Sequence, residues 1–117
     1  MTPFGLKLRE LRKKHNMTQA TLAKKLAVSA PYLSALERGK RGAPPRRIVL
    51  RVIEIFGLIW DEAEKIEQLA QESCPRVIIN TAPLSATATR LANRFAQKII
   101  HIDEKTAAAW LKTLNKK

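Results

Sequence analysis

Lys40, Arg41, Arg46 and Arg47 are packed into the Gly- and Pro-rich run GKRGAPPRR, and Arg38 stands just before it. Such a cluster is a poor proton shuttle and a poor metal ligand set, but it can neutralise phosphates and release their counterions. The excess charge is large and regional. Over the whole chain 22 Lys and Arg face 10 Asp and Glu, giving a net charge of +12 and a pI near 10.5. Residues 1–51 hold thirteen of the cations against Glu10 and Glu37 alone, whereas residues 52–75 hold Lys65 against six carboxylates. A field concentrated in one half points to a face that binds a polyanion rather than to general solubility.

The remaining reactive side chains do not assemble into a catalytic pattern. His15 closes a basic segment, where capping a carbonyl or touching a phosphate suits it better than catalysis, and His101 lies far away between two isoleucines. No His, Cys and Asp grouping has metal-ligand spacing. Cys74 is the single cysteine and precedes Pro75, so it forms no internal disulfide and reads as a buried or idle thiol of a reducing compartment. No Gly-rich phosphate loop, nucleophile elbow or paired-carboxylate site occurs. Enzyme activity, a metal, a cofactor and a small-molecule ligand are therefore not expected. The N-terminus carries no signal-peptide run and nothing approaches the ~20 apolar residues of a membrane helix, so a cytoplasmic location is expected.

The elements that must position the cations read as helices. Phe4, Leu8 and Leu11 fall at helical spacing in a first helix that runs to His15. Thr18 suits the N-cap of a second, with Leu22, Ala23 and Leu26 as its apolar stripe. Ala27, Val28 and Ser29 form a short turn before a third helix from Ala30 to Glu37, which buries Leu33 and Leu36 and stops at Gly39. Pro44 and Pro45 open a fourth, with Ile48, Val52, Ile55 and Phe56 on one face, and Gly57 ends it. Asp61 and Glu64 have capping-box spacing at the start of a fifth helix, and Trp60 is expected to pack just ahead of it. Beyond Cys74 and Pro75, RVIIN is either a short strand or irregular. Ser85 caps a sixth helix to about Ile102, and Asp103 caps a last one carrying Leu111 and Leu114. With 117 residues, 45% hydrophobic and only 5% aromatic, one modest helical core is expected.

Two short helices joined by a tight turn beside a basic surface are what a major-groove reader requires. Residues 5–58, through LRELRKKHNMTQATLAKKLAVSAPYLSALERG and the following PP and VIEIFGL, resemble the lambda-repressor and Cro-like helix-turn-helix (XRE) family. The resemblance implies an all-α fold, a five-helix lambda-repressor-like DNA-binding domain over residues 1–73; the spacing beyond it adds a small C-terminal helical extension over 74–117 with a candidate short strand. The resemblance also implies that Ala30, Pro31, Tyr32, Ser34, Ala35 and Arg38 face the bases, and that Thr18, Gln19, Arg12, Lys40, Arg41, Arg46 and Arg47 meet phosphates. Arg12 and Glu37 are implied as an ion pair that locks the first helix to the third. The chain departs from the family pattern at Ala27, where a left-handed turn favours glycine. It departs again at Ala30, Pro31 and Ala35, which offer thymine methyl groups only apolar contact, so readout is expected to lean on DNA shape and dimer spacing.

Residues 76–115 are too few for an independent core, which implies packing on the first domain or on a second copy. A homodimer is expected, with Leu91, Phe95, Ile99 and Trp110 in or near its interface and RVIIN as a candidate for pairing across it. The function expected first is a dimeric regulator bound to double-stranded DNA, most simply a repressor. The alternative is a DNA-binding antitoxin whose C-terminal helices cover a toxin protein. An RNA-binding adaptor using the same basic face comes third.

Overall fold

Thr2, buried and extended, accepts the Gly5 amide on its hydroxyl at 3.1 Å and starts α1 (Pro3–Lys14). Pro3 follows it in the first turn, where a missing N–H is no loss. The same device opens the next two helices. Thr18 accepts the Thr21 amide ahead of α2 (Gln19–Leu26), and Ser29 accepts the Tyr32 amide ahead of α3 (Ala30–Glu37). α4 (Arg46–Phe56) begins after Pro45 and ends at Gly57. α5 (Asp61–Gln71), α6 (Ala86–Lys98) and α7 (Glu104–Leu114) complete the chain. This computed structural model describes residues 1–116.

The expected all-helical class holds, and among the described residues there is no β-strand. RVIIN is irregular from Val77 to Asn80, with Val77, Ile78 and Ile79 exposed. A strand needs a neighbour to receive its backbone hydrogen bonds, and among the described residues there is no other strand to supply one. Neither does the capping box at Asp61 and Glu64 form. Trp60 takes φ 52°, ψ −124°, the first corner of a II′-like turn closed by the Glu62 amide on the Ile59 carbonyl, so Asp61 already lies inside the helix. Trp60 does not pack ahead of the helix either, since it is 82% exposed. α6 stops at Lys98 rather than Ile102 and tightens into a 3₁₀ turn over Ile99–His101.

The chain divides into two compact units, Met1–Val77 and a second beginning at Ile78. In the first, Phe4, Leu8, Leu22, Leu26, Leu33, Leu36, Ile48, Val52 and Ile66 are almost wholly removed from water. These are the apolar stripes of α1 to α5 meeting in one core. α1 crosses the end of α3 so closely that a Cβ on Gly5 would overlap the Leu36 carbonyl oxygen. Ser73, itself buried, closes the unit: its Oγ accepts the Phe4 amide at 3.0 Å and donates to the Leu69 carbonyl at 2.6 Å. One hydroxyl thus satisfies an orphan donor of α1 and ties it to α5.

In the second unit Ser85 caps α6 and Asp103 caps α7 by accepting the Thr106 amide at 2.7 Å. Hydrogen bonds from the Thr106 side chain and backbone hold the Asp103 carboxyl below its ordinary value. Neither helix has a buried residue; Ala88, Ala92, Phe95, Ile102 and Ala107 are half-buried, and the Phe95 and Trp110 rings lie 5.7 Å apart. Among the described residues no helix is long and apolar enough to cross a membrane.

Candidate nucleic-acid interface

The joint between α2 and α3 is set by a backbone that few alanines adopt. Ala27 has φ 58° and ψ 42°, the left-handed region, and its amide caps α2 on the Ala23 and Lys24 carbonyls. The Val28 amide then bonds to the Ala23 carbonyl at 3.0 Å. Two residues later Ser29 starts α3, so the chain reverses without a loop. Ala23 is buried on α2, and Leu26, Leu33 and Leu36 fill the space that α2 and α3 share with the core.

α3 is then fastened to α1 and α2 through one buried carboxylate. Glu37, only 2% exposed, accepts Arg12 Nε at 2.7 Å on Oε2 and Arg12 Nη2 at 3.0 Å on Oε1. Gln19 Nε2 donates to the same Oε1 at 3.0 Å, and Arg12 Nη1 donates to the Met17 carbonyl at 3.0 Å. A bidentate fork with every strong acceptor used is the arrangement in which a buried ion pair fixes geometry. Arg12 is therefore committed to the lock, with its side chain 13% exposed, and Gln19 keeps one amide hydrogen for another partner. Sequence separation hid the Gln19 bond, because nothing local relates Gln19 to Glu37.

The outer surface of α3 has few polar groups. Ala30, Pro31 and Arg38 are exposed, while Tyr32, Ser34 and Ala35 are half-buried. Thr18 is exposed at the start of α2, its hydroxyl shared with Thr21. Lys40, Arg41, Arg46 and Arg47 are all exposed beyond the end of α3. Arg46 pairs with Glu67 at 3.6 Å; Arg38, Lys40, Arg41 and Arg47 have no ion pair among the described residues. The Arg41 guanidinium lies over the Tyr32 ring, 5.3 Å from its centroid. Arg51, a cation outside the expected set, donates to the Lys25 carbonyl at 3.1 Å and to Glu54 at 3.0 Å, tying α4 to the end of α2. The Arg51 and Glu54 spacing was a readable signal for that pair. His15 caps α1, its Nδ1 2.9 Å from the Leu11 carbonyl and its ring 5.0 Å from that of Phe56.

The helix-turn-helix domain family matches residues 3–67, more than half of the chain. The chain belongs to that family. It is similar to the uncharacterized HTH-type transcriptional regulator RghRB of Bacillus subtilis, 46% identical over 61 residues that cover 52% of this chain and 44% of that protein. An uncharacterized HTH-type transcriptional regulator of Methanocaldococcus jannaschii is 40% identical over 52 residues, covering 44% of this chain and 77% of that one. The HTH-type transcriptional repressor RghR of Bacillus subtilis is 32% identical over 79 residues, covering 64% of this chain and 58% of that one. The aligned part of this chain thus spans less than half the length of RghRB.

Outside the helix-turn-helix domain, the second unit carries an apolar groove of about 590 Å³. Leu91, Phe95 and Trp110 line it together with Ile79, Ala92 and Leu114, and Arg94 and Lys98 stand among them. The fold brings those three of the four expected interface residues together. Ile99, on the 3₁₀ turn, is exposed but does not line the groove. Cys74 is exposed rather than buried, its thiol 3.1 Å from the Arg76 carbonyl.

Proposed function

We propose that the chain is a cytoplasmic transcriptional repressor that binds double-stranded DNA as a homodimer and lays α3 of each copy in the major groove. The observation that carries this reading is the lock on α3. A short helix held through Glu37 to Arg12 and Gln19, with small side chains outward and, at its end, four cations that have no ion pair among the described residues, has the rigidity and charge that groove docking demands. Thr18, Gln19, Lys40, Arg46 and Arg47 are assigned to phosphates. Ala30, Pro31, Ser34, Ala35 and Arg38 are assigned to the groove floor. Tyr32 borders it. Arg12 acts on the DNA by fixing α3.

Dimerisation is assigned to the second unit. Two helices without a buried residue cannot be stable alone, and a second copy laid on the Leu91, Phe95 and Trp110 groove would remove that surface from water. Selection of bound sequences from a random duplex pool tests the reading. The expected product is a pair of related half-sites about one helical turn apart. If three cations per copy meet phosphates, log affinity should fall with log salt at a slope of about −5, roughly a thousandfold between 50 and 200 mM. Failure to bind any duplex in dilute buffer overturns the reading. Recovery of the chain in a fixed-stoichiometry complex with a toxin would favour the antitoxin alternative for the same groove.

A further inference from the structure

Of the four loop cations, Arg41 is the one set over an aromatic ring, and it has neither a hydrogen bond nor an ion pair from its side chain among the described residues. We propose that Tyr32 is a platform that aims Arg41 at a guanine, so that one position of each half-site is read from the loop and not from α3. This rests on the proposed docking of α3 in the major groove.

α3 offers few polar groups of its own. Ala30, Pro31 and Ala35 have no polar side-chain atom, and the Ser29 hydroxyl is spent on the Tyr32 amide. Ser34 alone offers a hydroxyl from the middle of the helix. Tyr32 is half-buried, packs against the core and has its ring covered by the guanidinium, so it is held in place rather than free to reach outward. It is also the third residue of α3, in the half of a recognition helix that meets base edges. A guanidinium stacked there stands at the rim of the groove. Held over the ring and with no hydrogen bond from its side chain among the described residues, it can present the planar fork that matches O6 and N7 of guanine bidentately. Neighbouring Lys40, Arg46 and Arg47 have no aromatic support, which suits them to phosphates, where a charge without fixed orientation suffices.

The test is selection from a random duplex pool by the full chain, its Arg41→Ala, Tyr32→Leu and Tyr32→Phe variants, followed by affinity measurements over a range of salt. The wild type should enrich a motif with one strongly preferred guanine per half-site. Arg41→Ala should flatten that column, lowering the preference for guanine about ten-fold or more, with the other columns intact. Tyr32→Leu should weaken the same column, and Tyr32→Phe should retain it because a ring without a hydroxyl still supports the guanidinium. The proposal is overturned if Arg41→Ala weakens all sequences equally with a shallower salt slope, which marks a phosphate contact. It is also overturned if Tyr32→Phe loses the column, since the hydroxyl would then be the reader. If the wild type binds duplex in dilute buffer but enriches no motif, this proposal is overturned while DNA binding stands; if it binds no duplex at all, the DNA-binding reading itself has failed, and this proposal with it.

Discussion

Replacing Ala27 by glycine should stabilise the protein, and replacing Gly57 by alanine should destabilise it by a similar amount. The two positions have almost one backbone geometry: φ 58°, ψ 42° at Ala27 and φ 61°, ψ 36° at Gly57. Each ends a helix, and each amide bonds to carbonyls three and four residues back. Ala27 is exposed, so removing its methyl group forfeits little packing, and nothing crowds a Cβ placed on Gly57. What remains is the backbone. A left-handed conformation costs an L-residue about 1–2 kcal/mol, while glycine's larger unfolded ensemble returns about 0.4–1. The difference is about 0.5–1 kcal/mol in favour of glycine at either site. For a unit of this size that shifts Tm by roughly 2–8 °C, upward for Ala27→Gly and downward for Gly57→Ala. Thermal unfolding followed by circular dichroism at 222 nm reads both. Opposite signs and similar magnitudes are required; a lower Tm for Ala27→Gly would refute the assignment of strain to the turn.

Glu37→Gln keeps the shape of the lock but leaves the Arg12 guanidinium without its countercharge, so it should cost about 3 kcal/mol, measured as a lower urea midpoint. Gly5→Ala should cost about 1–3 kcal/mol in the same assay, because its Cβ meets a carbonyl oxygen of α3 rather than a side chain that can move. Leu91→Glu puts a charge into the C-terminal groove and should convert a dimer to a monomer in sedimentation while leaving the melting of the first unit unchanged. Asp103, with its carboxyl pKa depressed by Thr106, stabilises the start of α7 at neutral pH and loses that effect as pH falls through its folded pKa. Acid titration of the Thr106 amide by NMR should show the step, and Asp103→Asn should abolish it.

Local patterning made most of the first unit legible. Thr18 and the stripe Leu22, Ala23 and Leu26 lie within one helix, so side-chain type and spacing suffice to place α2. The same holds for Ser85 and Asp103 as caps. What sequence spacing does not encode is contact across the chain. Ser73 meets the Phe4 amide across 69 residues, and no pattern announces that a serine after α5 will finish the first turn of α1. The Arg41 and Tyr32 contact depends on how a Gly- and Pro-rich loop folds back, which composition leaves open. Trp60 misled for a different reason: a bulky residue at a positive φ defies propensity, and its preference for burial pointed the wrong way. RVIIN stayed open between strand and irregular backbone, because β-branched residues describe a willingness to pair and not the presence of a partner; in this chain Val77 to Asn80 are irregular.

The division of labour within the proposed interface has a consequence for specificity. Small residues at Ala30, Pro31 and Ala35 let a rigid α3 sit close to the groove floor, yet they supply almost no hydrogen-bonded readout. A protein built this way must take part of its selectivity from how readily the duplex adopts the geometry that two fixed helices impose. In the proposed dimer those helices would be held at one spacing, so the base pairs between the half-sites would be deformed without being touched. Changing their sequence at constant length should therefore alter affinity by on the order of 1 kcal/mol, several-fold in Kd, even though no side chain meets them. Fluorescence anisotropy on a set of duplexes with identical half-sites and different centres measures this directly. If all centres bind alike, selectivity must come from direct contacts by groups such as Ser34, Arg38 and Arg41, and readout through the shape of the central base pairs is refuted.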